Sequence, residues 1–474
     1  MNEKQLLNDL LALLGNSLEL QDGSPRVVDP AKLRDSIHKL VQVSTLESGS
    51  RQGMARYLTR LAALAAGIFP ASIQDLYTAR GNGQVPPSFT VPAINLRALS
   101  FDAARAVFRA AKSLQAGAFI FEIARSEMGY TDQRPSEYAT NILAAAMAEG
   151  YRGPVFIQGD HFQVSAKRFA SEPDTELKAL RDLTAEAIAA GFFNIDVDTS
   201  TLVDLSKDTI PEQQALNCEL SAAFTANIRS IEPEAITVSV GGEIGEVGGQ
   251  NSTEPELRAY MNGYSEALAQ KEPAALGLSK ISIQTGTSHG GVVLPDGSIQ
   301  EVSVDFDTLL KLSRVARLEY SLAGTVQHGA STLPESAFGK FVESEACEVH
   351  LATNFQNMLY DRLPVNLRQE MYAYLGANHS DERKPGMTDE QFYYKSRKRA
   401  IGPFKAHLWR MEAEKKEEIS KAWEDQFHLL FQLLGLAGTR QYVDKTIKLV
   451  AVQPRMKDYL GETVVEEEVR DLAD

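Results

Sequence analysis

From Phe89 to Thr353, short apolar runs rich in β-branched and aromatic residues alternate with longer stretches whose apolar positions recur every three or four residues. Eight runs stand out: FTVPAIN, AFIFEIA, PVFIQG, FNIDVD, ITVSVGG, KISIQT, YSLAGTVQ and CEVHLAT. Amphipathic stretches such as FDAARAVFRAAKSL, ELKALRDLTAEAIAAG and PEQQALNCELSAAFTANI lie between them. This alternation predicts parallel strands joined by crossover helices. An open doubly wound sheet would leave the same local signals, and it is the count of eight that favours closure into a (β/α)8 TIM barrel.

The flanks carry helical patterns only. LLNDLLALL, PAKLRDSIHKLVQVSTL and ARYLTRLAALAAGIF read as helices of a cap with no chemistry of its own, and GNGQVPPS (Gly81 to Ser88) supplies the Gly and Pro of a boundary. Beyond Thr353, RMEAEKKEEISKAWEDQFHLLFQLLGL predicts a helix whose HLLFQLLGL end packs while KKEE stays solvated. The last segment, ETVVEEEVRDLAD, is expected to fray. We therefore expect an α/β chain with an amino-terminal helical extension over 1–85, a barrel over 86–360 and a carboxyl-terminal helical region over 361–474.

Composition narrows the partners. The formal charge of −15 argues against nucleic acid, whose backbone needs a basic footprint, and 43% hydrophobic with 23% charged residues fits a folded globular enzyme. Cys218 and Cys347 are too few for a disulfide scaffold and too far apart for a thiolate metal site, so both are expected as buried apolar residues. MNEKQLLNDLLALLG lacks the basic and long apolar segments of a secretory leader, and no run of about 18 apolar residues suggests a membrane span. A cytoplasmic location is expected.

In a βα barrel the reactive side chains gather where strands end at their carboxyl side. Strand three ends in Gly159-Asp160-His161, strand five in Gly242-Glu243-Ile244-Gly245, strand six leads into Thr287-Ser288-His289-Gly290-Gly291, and strand seven ends in Gln327-His328-Gly329-Ala330-Ser331. Any one of these histidines could be a satisfied rim residue. Three at one face are another matter, because three neutral imidazoles with one open position make a strongly Lewis-acidic Zn2+ site. His38, His379, His407 and His428 lack that placement, while His350 lies inside strand eight, where it can line the barrel.

The ordered set DH, E-I-G-x-x-G-G, SHGG and HGAS resembles the class II, metal-dependent fructose-bisphosphate and tagatose-bisphosphate aldolases, from about Phe89 to Tyr360. YYKSRKRAIGPFK (Tyr393 to Lys405) is similar to the start of that family's carboxyl-terminal helix. The resemblance implies a lyase of carbohydrate metabolism that cleaves and condenses a ketose (bis)phosphate through a zinc-stabilised enediolate. It implies His161, His289 and His328 as ligands of one Zn2+, and Asp160 as the acid/base for the C4 hydroxyl. Glu243 would approach the metal in an alternate position, with Asp196 near it. Asn95, Ser126, Asp196, Asn251 and Thr353 would face substrate. Gly290, Gly329 and Ser331 would belong to loops that receive a phosphate or a monovalent cation through backbone groups. A sugar or sugar phosphate as substrate and a homo-oligomer are also implied.

Two departures keep other reactions open. Where the family has a glutamate that exchanges a proton with the enediolate carbon, this chain has Gly248-Gly249-Gln250-Asn251, and an amide cannot do that work. In strand eight the family's Asn-x-Asp-Thr-Asp becomes His350-Leu351-Ala352-Thr353-Asn354. Glu246 or Glu254, on the same loop, could stand in as the carbon acid. A ketose or ketose-phosphate C4-epimerase of the fructose/tagatose type survives these losses, because cleavage, rotation of the aldehyde and rejoining never protonate carbon. A non-catalytic accessory subunit is the alternative from another class, and the retained Asp-His pair counts against it.

Overall fold

The computed structural model describes residues 3–21, 24–245, 250–286, 294, 304–461 and 472. Eight parallel strands close into a barrel: β1 (Val91–Asn95), β2 (Ile120–Ala124), β3 (Gly153–Gln163), β4 (Asn194–Asp198), β5 (Ser239–Glu243), β6 (Lys280–Ile283), β7 (Thr325–Gln327) and β8 (Glu348–Leu351). Each pairs with the next in sequence, and β8 returns to β1 through Glu348↔Val91 to Leu351↔Ile94. Each of the eight sequence runs holds one strand. Every strand residue is buried, which is why the runs read as nearly continuous apolar segments: one face looks into the barrel and the other is covered by helices.

The covering helices are α1 (Ser100–Leu114), α2 (Pro135–Ala148), α3 (Pro173–Ala190), α4 (Ile210–Ile231), α5 (Glu254–Lys271), α6 (Phe306–Tyr320), α7 (Phe338–Glu343) and α8 (Thr353–Arg362). In α1, Phe101, Ala104, Val107, Phe108 and Ala111 fall on one buried stripe. Reciprocal side-chain caps start two of the others, Thr209 with Glu212 before α4 and Thr253 with Glu256 before α5.

The amino-terminal region is not purely helical, and here the sequence expectation is corrected. Leu18–Gln21 and Ser24–Val27 form an antiparallel hairpin. Ile68–Ala71, whose first two residues were expected as the end of a helix, is a strand paired in parallel with Gly153–Phe156 of β3. β3 starts before β4 does, so its first residues would otherwise present unpaired backbone groups. The helix Gln74–Gly81 follows and sends Tyr77, 1% exposed, to a hydrogen bond with Glu348 inside the barrel, so this region does reach the polar interior.

At the other end, helix Ala413–Leu433 lies along α1, burying Trp423, Phe427, Leu430 and Phe431. The short helical turn Arg397–Ala400 packs on the helix Arg125–Thr131 that follows β2. Cys218 and Cys347 are buried thiols. The segment ETVVEEEVRDLAD lies, apart from Leu472, outside the described residues. No described helix is long and apolar enough to cross a membrane.

Candidate active site

The DH pair sits on an irregular strand end. Neighbouring residues of a regular strand face opposite sides of the sheet. Between Gly159 and Phe162 the β3–β4 register shifts, and His161 adopts φ +40°, in the left-handed region. A bulge of this kind re-aims a side chain, and it lets Asp160 and His161 both face the barrel mouth. Gly159 is required beside it, because a Cβ there would lie 2.4 Å from the Phe162 ring.

Around this point Asn95, Arg97, Glu127, Asp160, His161, His328, Gly329, Ser331, His350 and Thr353 line one cavity. The His161 and His328 rings lie tilted at 36° with centroids 4.4 Å apart, and their Nε2 atoms lie 3.9 and 3.7 Å from Asp160 Oδ1. His161 Nδ1 is 3.2 Å from Asp198 Oδ2 and 3.8 Å from Glu243 Oε2. Gln163 Nε2 donates to the same Asp198 oxygen at 2.6 Å, fixing the carboxylate that orients the ring. Asn95 Nδ2 donates to Asp160 Oδ2 at 3.1 Å and to Glu127 Oε2 at 2.7 Å, and Arg97 Nε donates to Glu127 Oε1 at 2.6 Å.

Below the mouth lies a second polar layer. His350 Nδ1 is 3.1 Å from Asp160 Oδ1, and its Nε2 is 2.7 Å from Glu348 Oε1. Lys280 Nζ donates to Gln158 Oε1 at 2.8 Å and to Asp196 Oδ2 at 2.9 Å, and also bonds Glu348. Gln158 Nε2 donates to Glu122 Oε2 at 2.8 Å. Four carboxylates thus share the cations Lys280 and His350, and the carboxylates divide accordingly. Burial pushes Glu122 well up, reinforced by Asp160. Burial also carries Asp196 up to about 6 against the pull of Lys280. Burial opposes ionisation of Asp160 too, but the charges on His161 and His350 and hydrogen bonds from His328 and His350 outweigh it and hold Asp160 well below the usual carboxylate range.

The histidines divide as well. Burial lowers His161, yet Asp160 and Asp198 outweigh it and raise the ring to about 10. His328 falls to about 3, through burial and the charges of His350 and His161. The direction at His161 describes a site that attracts positive charge, and the direction at His328 describes a neutral imidazole, the form that can ligate a metal. The donor set suits a metal: one nitrogen each from His161 and His328 and one oxygen from Asp160 lie within 4.8 Å of one another and are buried, and Asp198 holds the far nitrogen of His161. A second group, His161, Asp198 and Glu243, meets the same distance condition.

Of the residues named from sequence, the structure brings Asn95, Asp160, His161, His328, Gly329, Ser331 and Thr353 to one cavity and Glu243 to within 3.8 Å of His161. Asp196 lies in the layer below, Ser126 is buried in the helix after β2, and Asn251 is exposed, donating to Asp305 at 3.2 Å. His289, Gly290, Glu246, Gly248 and Gly249 lie outside the described residues. Arg97, Glu127, Glu122, Lys280 and Glu348 were not singled out from sequence. Their signal was a charged residue in or just past an otherwise apolar strand, in register with other inward positions. A larger surface cavity of about 590 Å³, lined by Lys112, Arg152 and Arg440, sits where α1 and α2 lead into β2 and β3, at the opposite end from this chemistry.

Comparison with solved structures finds similar folds at low identity. The fructuronate-tagaturonate epimerase UxaE from Cohnella laeviribosi matches with a TM-score of 0.52 at 12% identity, covering 89% of this chain and 90% of that one. The fructose-bisphosphate aldolase from Campylobacter jejuni gives 0.46 at 17%, covering 77% and 94%. The YdjI aldolase from Escherichia coli gives 0.45 at 13%, covering 78% and 99%. None of the curated proteins matches the chain. The model of the family described as fructose-bisphosphate aldolase class-II matches residues 86–408, more than half of the chain, and the strand ends it spans carry the Asp160, His161 and His328 arrangement; the chain belongs to that family.

Proposed function

We propose that this protein makes and breaks the C3–C4 bond of a ketose or ketose phosphate as a zinc-dependent, class II aldolase-type enzyme, with Asp160 as acid/base. One observation carries the proposal: the buried Asp160 carboxyl beside two imidazoles that converge on it from the ends of β3 and β7. His161 and His328, with His289 as the expected third ligand, would hold the zinc, which when bound stabilises the enediolate charge left on the ketone fragment. Asp160 takes the C4 hydroxyl proton as the C3–C4 electron pair passes to the enediolate, leaving an aldehyde. Asn95 keeps the second carboxyl oxygen in place. Arg97, locked by Glu127 at the cavity wall, favours a substrate with an anionic end.

For the net reaction, two observations favour inversion at C4 over release of trioses. Gln250 stands where the carbon acid is expected, and a carboxamide does not protonate an enediolate. The fold is also similar to that of a solved fructuronate-tagaturonate epimerase over 89% of the chain. Turning the aldehyde and rejoining it through its other face, with a proton returned to O4, gives the C4 epimer without a carbon acid.

The test is to incubate zinc-loaded protein with fructose, tagatose, their phosphates and the corresponding hexuronates, resolving trioses from C4-inverted ketose. Inversion without trioses is expected. Trioses as the main product would reject the epimerase, and no turnover of any of these would reject both enzymes. Asp160→Asn, compared with the parent at matched zinc content, is expected to lower turnover by about 10²–10⁴-fold. An accessory subunit would be indifferent to both the metal and this substitution.

A further inference from the structure

His350 stands between two carboxylates in the barrel interior. Its Nδ1 meets Asp160 Oδ1 at 3.1 Å, and its Nε2 meets Glu348 Oε1 at 2.7 Å. Glu122 Oε1 and Asp196 Oδ2 also face the ring, at 3.2 Å from Nδ1 and 3.6 Å from Nε2. The ring of His328 packs edge-on against it at 4.1 Å. Glu348, completely buried, is anchored in turn by Lys280, by Gln158 Nε2 at 3.0 Å and by the Tyr77 hydroxyl. The chain of bonds from Tyr77 to Asp160 therefore crosses three separate elements, and each link is held by the one beneath it.

Geometry of this kind fixes a base as well as a fold. A carboxyl that must meet one hydroxyl proton works only if its rotation about Cβ–Cγ is stopped, and a displacement of about 1 Å at a reacting group can lower a rate about 10²-fold. Asn95 stops Asp160 at one oxygen. We propose that His350 is the positioning residue for the other: braced by Glu348, it holds Asp160 Oδ1 so that the carboxyl faces the reacting hydroxyl. The Nδ1 hydrogen bond goes to Asp160, while Glu122 Oε1, at 3.2 Å, takes part in no hydrogen bond among the described residues. The proposal rests on Asp160 being the acid/base.

Two substitutions separate this role from a packing role. Asparagine places an amide nitrogen near the position of Nδ1, toward Asp160, whereas glutamine places one near Nε2, toward Glu348. In zinc-loaded full-length protein, His350→Asn is expected to keep kcat within about tenfold of the parent, and His350→Gln to lose about 10²-fold in kcat with KM changed less than about threefold. Zinc content and Tm are measured on both. A packing role would order the variants by Tm instead, with kcat following the folded fraction. His350→Gln equal to or better than His350→Asn in kcat, both folded and zinc-loaded, overturns the proposal. Should His350→Gln not fold, His350→Asn decides: turnover within tenfold supports it, and a loss beyond 100-fold in folded protein overturns it. Asp160→Asn in the same assay isolates the premise, since parent-level turnover there would remove the acid/base itself, whatever His350 does.

Discussion

Gly241 on β5 leaves the space that the Asp196–Lys280 pair fills. A Cβ there would lie 2.3 Å from Asp196 Oδ1 and 2.9 Å from Lys280 Cε, and neither group can retreat without giving up a buried ionic partner. Gly241→Ala is therefore expected to destabilise the protein by about 1–3 kcal/mol. Gly376, inside the helix Val365–Asn378 with open space around its Cα, is the control: alanine there is expected to stabilise by about 0.5–1 kcal/mol. Urea unfolding of the two variants checks the opposite signs. The same residues mark the limit of what the chain discloses. Asp160, His161 and His328 were legible because each closes a strand run, two of them beside glycine. Lys280 was not, because it opens its run and looked like a flank of KISIQT. Its inward direction depends on the pairing of β6 with Gly241 and Gly242, which no local pattern contains. Glu348 had a weak signal, two residues before His350 and so on the same face of β8.

The short elements that seal the barrel carry charges whose burial can be measured. On the turn Arg397–Ala400, Lys398 Nζ lies 5.5 Å from the centroid of the Tyr130 ring, which Arg97 and Arg399 also approach, at 6.0 and 5.8 Å. Burial, then the charges of Arg97 and Arg399, lowers Lys398 from the ordinary 10.5 to about 7. Between those two values the unfolded chain binds a proton that the folded chain does not, so this group makes stability rise with pH across that window and opposes folding most fully below it. Lys398→Met removes the effect. Its Tm is expected to exceed that of the parent by more at pH 6.5 than at pH 9, and a gap that is constant or widens toward pH 9 would show that the lysine sits in a different environment. YYKSRKRAIGPFK gave notice of a helix start here, but the docking of that turn on the helix after β2 joins residues more than half the chain apart. The strand Ile68–Ala71 escaped for a related reason. Five residues, GIFPA, end a convincing helical stripe, and their partner is the part of β3 that precedes β4.

At the scale of the molecule, closure of the barrel creates the site. Asp160 and His161 lie at the bulge near the end of β3 and His328 follows β7, so their donor atoms converge only when the ring of strands is complete. An unfolded chain scatters them, and a cation that needs all of them binds the folded state alone. Binding then stabilises folding by RT ln(1 + [L]/Kd), about 2.7 kcal/mol at 100 times Kd. Zinc added to chelator-treated protein is expected to raise Tm by roughly 2–3 °C, reversibly on adding chelator. Magnesium should do little, because it favours oxygen ligands in octahedral geometry and these imidazoles offer nitrogen. Non-specific attraction of cations to a chain of net charge −15 would act on both ions and on either histidine variant alike. The decisive protein is therefore the His161→Ala, His328→Ala double variant. If it folds and its Tm no longer responds to zinc, the ion's contribution passes through these two rings. If it responds as the parent does, the ion binds elsewhere, and the carboxyl–imidazole cluster at the barrel mouth must be explained without it.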